Sequence, residues 1–522
     1  MELTTHSVDV EFGTDATSST NTNSSVTATE QANNTTILKR PPVTVRWAGI
    51  DKFVDPPKQQ RSLISGSMSK SATDEKAATT TKQILTTVSG RANPGEVLAL
   101  MGPSGSGKTT LLDVLSNRIP HSGKGQIYLN DRPLSKQDKR QIAYVKQEDI
   151  FFPHLTVRDQ LLYTALLRLP EKLPRSAKVA EVEKTINILR LTKCATTPIM
   201  LISGGEKKRT NIGTELLTDP NIIMLDEPTS GLDSTSAVAL LKILHSLAVD
   251  CNKTIITSIH QPSSSAFFAF DKLLLLADGN VVFSGTPHSS LEWFESKGHS
   301  CPSGYNGADH IMDLLVVDSA IDGGDGDTRK KMLIELWDQK KGSELIHAEI
   351  ADIASGGDVT EPTNMNVSKW NTSYRTQLFV LTHRSMRNSR SAIFTWMNFV
   401  KSAGLGLIGG ACFFNLGNSE MYVKDRSGFA FFAMTYWVFD SLFTALMSFP
   451  PEKAVIFKER ASGAFRLSAY FISKTLSEAP MRLSLPLIYL LISYWMVGMN
   501  TSFVAFLKFL CAELLSVLAG ER

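Results

Sequence analysis

Val97-Leu98-Ala99-Leu100-Met101-Gly102-Pro103-Ser104-Gly105-Ser106-Gly107-Lys108-Thr109-Thr110 is the stretch on which the fold of this chain turns. Its first five residues are an uninterrupted apolar run, the pattern of a strand buried on both faces. The next eight fit G-x-x-x-x-G-K-[ST], and Thr110-Leu111-Leu112-Asp113-Val114-Leu115 then opens a helix. Strand, glycine-rich loop and helix in that order make a phosphate cradle: glycines let backbone N–H groups turn inward, at the positive end of the helix. Lys108 is placed to reach β- and γ-phosphates, and the Thr109 hydroxyl to hold Mg²⁺.

Working outward, composition narrows the class. The chain has 522 residues, enough for two or three domains with real cores. A net charge of +3 with 20% charged residues gives no electrostatic case for nucleic acid. The cysteines are isolated, with no C-x-x-C, which argues against a zinc site or a disulfide framework. No apolar signal segment opens the chain. Residues 1–39 are Ser-, Thr- and Asn-rich and read as a disordered tail, and 55–80 as a flexible insertion.

Five further stretches carry candidate chemistry. Gln141–Gln147 reads as a strand ending in an amide; alone, Gln147 is an ordinary surface glutamine. Ser203-Gly204-Gly205-Glu206 opens a helix, where free N–H groups and the dipole favour an anion, although taken alone a simple cap explains it better. Ile222–Leu225 is an apolar strand that delivers Asp226 and Glu227, the first placed to hold Mg²⁺ and the second to orient or deprotonate water. Ser230-Gly231-Leu232-Asp233 turns away from it. Thr254–Ile259 ends at His260, within reach of a γ-phosphate, or a satisfied core histidine.

Taken together, these motifs occur once each, in the order and spacing of ABC transporter ATPase domains, and over this region the chain resembles that family. The wording Ser203-Gly204-Gly205-Glu206-Lys207-Lys208-Arg209 is similar to subfamily G, the white/brown-complex half-transporters. So are Phe152-Pro153-His154-Leu155-Thr156-Val157-Arg158, Tyr305-Asn306-Gly307-Ala308-Asp309, and an ATPase part that precedes the membrane part. Gly307 stands where proline is usual, and Phe465 where tyrosine is common. The resemblance implies an α/β P-loop ATPase domain at 40–300, with a RecA-like core and antiparallel β and helical subdomains, followed by an all-α transmembrane domain. It implies head-to-tail pairing, with ATP between Gly102–Thr110 of one domain and Ser203–Glu206 of the other. It gives Mg²⁺ to Thr109, Gln147 and Asp226, general-base catalysis to Glu227, γ-phosphate contact to His260 and a dimer bridge to Asp233. Aromatic stacking on adenine is not obvious; Val54, beside Phe53, falls near that position.

The second half reads as membrane. Residues 301–370 are polar and read as a linker. Residues 371–392 carry Arg375, His383, Arg384 and Arg387 among apolar residues, as an amphipathic helix on the membrane surface does. Four apolar runs follow, near 393–416, 428–449, 483–499 and 503–518, of about the length that crosses a bilayer. Lys401 reads as a snorkelling residue. The stretch between the second and third runs holds Lys453, Lys458, Arg460, Arg466, Lys474 and Arg482, which puts it on the cytosolic, ATPase side. Within it, Val455–Gly463 resembles the first intracellular loop of the subfamily, which couples ATPase closure to the membrane helices. Asp440, inside a span, is costly and reads as lining a translocation path.

Subfamily members carry six spans, so the resemblance implies a C-terminally truncated half-transporter. Two functions follow from it. One is ATP-driven export of a lipid-like or hydrophobic small molecule by a homodimer or heterodimer, multi-pass among membrane lipids, at the plasma membrane. The other is a non-transporting regulatory subunit that binds ATP and partner half-transporters.

Overall fold

The computed structural model describes residues 41–54, 81–123, 125–316, 326–339, 370–393, 395–417 and 419–521. The N-terminal tail and the 55–80 insertion read from the sequence lie outside them.

The run Val97–Met101 is strand β3, every residue of it buried. Number the strands in chain order as β1 (Val45–Val54), β2 (Lys82–Ala92), β3, β4 (Gln126–Leu129), β5 (Arg132–Pro133), β6 (Ile142–Val145), β7 (Ile222–Leu225), β8 (Thr254–Ser258), β9 (Lys272–Ala277) and β10 (Asn280–Gly285). The described strands form two sheets. The larger has the order β10-β9-β3-β8-β7-β6, and the smaller, β2-β1-β4-β5, pairs antiparallel throughout. In the larger sheet β9, β3, β8, β7 and β6 run parallel. Parallel strands need covering on both faces. Their residues accordingly read as unbroken apolar runs, with Ile222–Leu225 wholly buried.

Helices supply the cover and the outer subdomain: α1 (Lys108–Leu115), α2 (Val157–Arg168), α3 (Arg175–Ile188), α4 (Gly204–Leu216) and α5 (Ser234–Cys251). Thr156 caps α2 by accepting from the Asp159 N–H at 3.1 Å. Helix α5 is long and apolar enough to cross a bilayer. It instead lays Leu240, Ile243, Leu244 and Leu247 into the ATPase core, so composition alone misleads there.

Residues 301–370 read as linker, but part of this stretch belongs to the ATPase core. Helix Gly307–Leu315 buries Ala308, Ile311, Met312 and Leu315. The helix over 326–339 buries Leu333 and Trp337, the latter 5.8 Å from Trp293 and 5.2 Å from Phe283 between ring centroids. The high polarity of the segment hid a short amphipathic stripe on each helix.

Then come α6 (Tyr374–Ile393), α7 (Trp396–Cys412), α8 (Val423–Ala461), α9 (Leu467–Val497) and α10 (Phe503–Glu521). Lengths and composition suitable for crossing a membrane are met within α8, α9 and α10. Helix α7 has 17 residues, at the short end of the spanning range.

Two expectations change here. The basic stretch between the second and third apolar runs is not a loop: α8 continues to Ala461 and α9 begins at Leu467, so Lys453, Lys458, Arg460, Lys474 and Arg482 all sit on helices that extend beyond the apolar segments. Lys401 does not snorkel. Its ammonium pairs with Asp440 at 2.6 Å, which answers the charge inside the span. The amphipathic helix α6 also has protein on one side. It packs against α9 and α2, burying Gln377, Leu381 and Arg384.

Truncating Trp337 removes a large ring from a packed aromatic cluster. Trp337→Ala is expected to cost about 3–5 kcal/mol and to lower the melting temperature of the ATPase domain by roughly 10 °C. Calorimetry of the full chain measures it; an unchanged midpoint would return 326–339 to the status of linker.

Candidate functional site

The chemistry gathers where parallel strands end. Gly102 follows β3, Gln147 lies two residues beyond β6, Asp226 follows β7 and His260 comes two residues after β8. Adjacent parallel strands deliver these residues to one edge, which is where ligands bind in open α/β sheets.

Backbone conformation builds the cradle. Gly102 has φ +150°, and a Cβ there would sit 2.0 Å from the Leu276 carbonyl oxygen. Gly107, with φ +100°, is the N-cap of α1, and a Cβ would meet Leu85 at 2.7 Å. No side chain caps α1, so its first N–H groups are left for an external acceptor. The Ser106 hydroxyl is buried with no hydrogen-bond partner, a further group suited to a ligand oxygen. Lys108 is 6% exposed and donates to the carbonyls of Gly102 at 2.7 Å and Pro103 at 2.9 Å. Burial holds its pKa below the ordinary lysine value, against the pull of the nearby Glu227 and Asp226 carboxylates.

The acids face this loop. Thr109 Oγ1 donates to Asp226 at 3.1 Å, so both proposed Mg²⁺ ligands already share one spot. Gln147 Nε2 donates to Glu227 at 2.7 Å. Ser258, on the neighbouring strand, ties the Asp226 carboxylate to the Glu227 backbone. Its Oγ donates to Asp226 at 2.6 Å and accepts from the Glu227 N–H at 2.8 Å. The signal for it in the sequence was weak: Ser258 is one of three hydroxyl residues in a fully buried strand, with Thr254 and Thr257. Glu227 itself has φ +45°, a left-handed conformation unusual for a residue with a Cβ. His260 is exposed at the same edge. Hard oxygen donors from Thr109 and Asp226, a glutamine amide, and a cradle of N–H groups fit a Mg²⁺–polyphosphate.

The second anion turn is built apart from the first. Ser203 caps α4 in a reciprocal box: its Oγ accepts from the Glu206 N–H at 3.3 Å while Glu206 Oε2 accepts from the Ser203 N–H at 2.9 Å. That N–H bond is the main reason the Glu206 carboxyl lies below the usual carboxylate range. A Cβ added at Gly204 would meet Leu232 at 3.8 Å and one at Gly205 would meet Ser236 at 3.5 Å, so this turn lies beside the segment that runs from Leu232 into α5. Asp233 caps α5 through the Ser236 N–H at 2.9 Å. Among the described residues no hydrogen bond or ion pair joins 203–206 to 102–109.

From Gln147 the polar contacts continue toward the membrane helices. Its carbonyl accepts from Lys208 Nζ at 2.6 Å. Lys208 pairs with Asp149 at 3.0 Å, and Asp149 accepts from Asn211 Nδ2 at 2.7 Å. Asn211 Oδ1 then accepts from Lys458 of α8 at 2.7 Å. Lys458 also donates to the Ile150 carbonyl at 3.2 Å and lies 4.1 Å over the Phe151 ring. Beside it, one guanidinium nitrogen of Arg384 donates to both oxygens of Glu459 at 2.8 Å. Arg384 also sits over the rings of Phe152, at 4.8 Å, and Phe465, at 5.6 Å. Phe465 is fully buried, a place where a hydroxyl on the ring would need a partner.

Comparison with known proteins agrees with this arrangement. Residues 85–230 match the ABC transporter family model, and 376–521 and 260–393 match two models described as ABC-2 type transporter. ABC transporter G family member 22 of Arabidopsis thaliana is 37% identical over 84% of this chain and 62% of its own length. ABC transporter G family member 14 of the same plant is 37% identical over 84% of this chain and 69% of its own length. Protein white of Drosophila melanogaster is 32% identical over 92% of the chain and 71% of its own. The chain thus spans about two thirds of the length of these relatives. With a phosphate cradle and paired acids at one sheet edge, helices of membrane-spanning length behind them, and relatives of this closeness, the chain belongs to the ABC transporter G family.

Proposed function

We propose that the chain binds ATP with Mg²⁺ at the Gly102–Thr110 cradle and hydrolyses it. In this proposal hydrolysis drives export of a lipid-like or hydrophobic small molecule across a membrane, the plasma membrane first among candidates. The observation that carries the coupling is the hydrogen-bonded path from Glu227 through Gln147, Lys208, Asp149 and Asn211 to Lys458. It joins the proposed base to a helix whose upper part is apolar enough to span a bilayer.

Thr109, Asp226 and Gln147 would hold the metal; Mg²⁺–ATP, when bound, supplies the bond to be broken and neutralises charge on the transferred phosphate. Glu227 accepts the proton of the attacking water, aligned by Gln147 and by the hydroxyl of Ser258 beneath it. His260 donates to the terminal phosphate. The Ser203–Glu206 turn is separate from its own cradle, which favours a second chain, identical or related, pairing head to tail so that each turn closes over the other's cradle. Asp233, next to that turn, lies where the two chains meet. Closing the pair moves Gln147, and the path conveys this displacement to α8.

Two outcomes are expected. Glu227→Gln should lose ATP turnover by about 100-fold or more, while fluorescent-nucleotide binding stays within a few-fold of wild type. Full turnover in the variant would remove Glu227 from the role of base. The second concerns Lys458, whose pKa burial lowers from 10.5 to about 8. An unfolded lysine binds more protons than the buried one between those two values. Stability of the joint therefore rises with pH from about 8 toward 10.5. Melting curves across that window should show this rise in wild type and a flatter profile in Lys458→Met; parallel profiles would show that burial at the joint does not lower the lysine's pKa.

A further inference from the structure

A cavity of about 360 Å³ lies at the junction of the two halves, within the range of small-ligand sites. Its walls come from α6 to α10 and from the segment just after Gln147. Phe151, Phe152 and Leu485 give it apolar surface, and Trp437, Asp440 and Lys401 give it a polar patch. It is distinct from the nucleotide cradle, although Phe152, Pro153 and His154 of a motif quoted above and Asp440 are among its lining residues.

Two features select the occupant. The first is Trp437. It is 4% exposed, and its indole N–H is buried with no hydrogen-bond partner. A buried donor left unmade costs free energy, so an acceptor belongs beside it. The second is the balance of charge. Asp440 is matched by Lys401 at 2.6 Å, Glu478 by Arg482 at 2.8 Å, and Glu452 by Lys474. No lining carboxylate is left to demand a cation, so a charged ligand gains nothing. Asp440 stands one helical turn from Trp437, and its pairing with Lys401 uses only one of its carboxylate oxygens. One group can accept from the indole and donate to the carboxylate together: a hydroxyl.

We infer that this cavity binds a neutral amphiphile, seating its hydroxyl head between Trp437 and Asp440 and its apolar body against Phe151, Phe152 and Leu485. Phe151 lies under the Lys458 ammonium and Phe152 under the Arg384 guanidinium, so the occupant touches the rings that hold the two halves together.

The test is photolabelling of the full chain in lipid nanodiscs without nucleotide, so that failure of transport or hydrolysis does not affect it. The probes are a diazirine-bearing 1-decanol and the matching diazirine decane, with crosslinks mapped by mass spectrometry. The alcohol is expected to label residues 151–154 and 437–444 and to be displaced by excess 1-decanol. The alkane is expected to label the outward faces of the membrane helices instead. In Trp437→Phe, which keeps the ring and loses the donor, the decanol concentration needed for displacement should rise about fivefold. Identical labelling by the two probes in wild type overturns the inference without reference to any variant. An unchanged displacement curve in a folded Trp437→Phe protein overturns it as well.

Discussion

Arg384 is the interaction on which the rest of the molecule depends. A guanidinium buried to 3% in the joint between an ATPase and a membrane bundle is tolerable only because Glu459 takes two hydrogen bonds from it and two aromatic faces cover it. Those rings belong to different parts of the chain: Phe152 to the segment after Gln147, Phe465 to the turn between α8 and α9. Arg384 and Glu459 both belong to the membrane half, so the ion pair forms within it, and Phe152 is the cover that the other half supplies. Around it Leu155, Tyr163, Leu381, Val455, Ile456 and Tyr470 form an apolar cluster of their own, separate from the cores on either side. Hydrophobic burial gives the joint its strength, and Arg384, anchored to Glu459 within the membrane half, sets its register through the Phe152 ring.

That register is what gives meaning to the polar path beside it. Each link is a short bond between residues on different segments, and the path ends on α8, the helix that also carries Glu459. A displacement at the strand ends reaches Lys458 along residues that have little slack, since Lys208 and Asn211 are both buried on α4. The sequence shows these residues only as members of a basic and a polar run.

The ATPase half was legible because its signals are local. A buried parallel strand must be apolar throughout, and a phosphate loop must have glycine where φ is positive or the backbone approaches closely; both conditions print directly into the order of residues from Val97 to Thr110. Ser203 and Glu206 likewise form a box across three residues. Ser258 escaped because its partners, Asp226 and the Glu227 N–H, come from another strand. The helices over 307–315 and 326–339 escaped because two to four buried side chains on each decide their placement, against a polar background. Lys401 and Asp440, 39 residues apart, each stand out alone in the sequence, and only the folded bundle brings them together as one pair. The basic stretch was read as a loop because charge density was taken as a break in structure. Helix α8 in fact carries its charges out of the apolar zone without interruption.

Glu227 and Gln261 share a left-handed backbone, with φ +45° and +44°, directly after Asp226 and His260. Each follows a polar residue that leaves the sheet edge, and each turns the chain sharply enough to present that residue. For a side chain with a Cβ this conformation costs about 1–2 kcal/mol, and for a branched one more. The permitted alphabet at these two places is therefore narrowed by shape before any chemistry is considered. Valine, isoleucine and threonine are shut out whatever they might bind, whereas asparagine and glycine enter easily. Drift at these positions would thus pass through inactive but well-formed intermediates, so a descendant could lose hydrolysis and still keep its architecture.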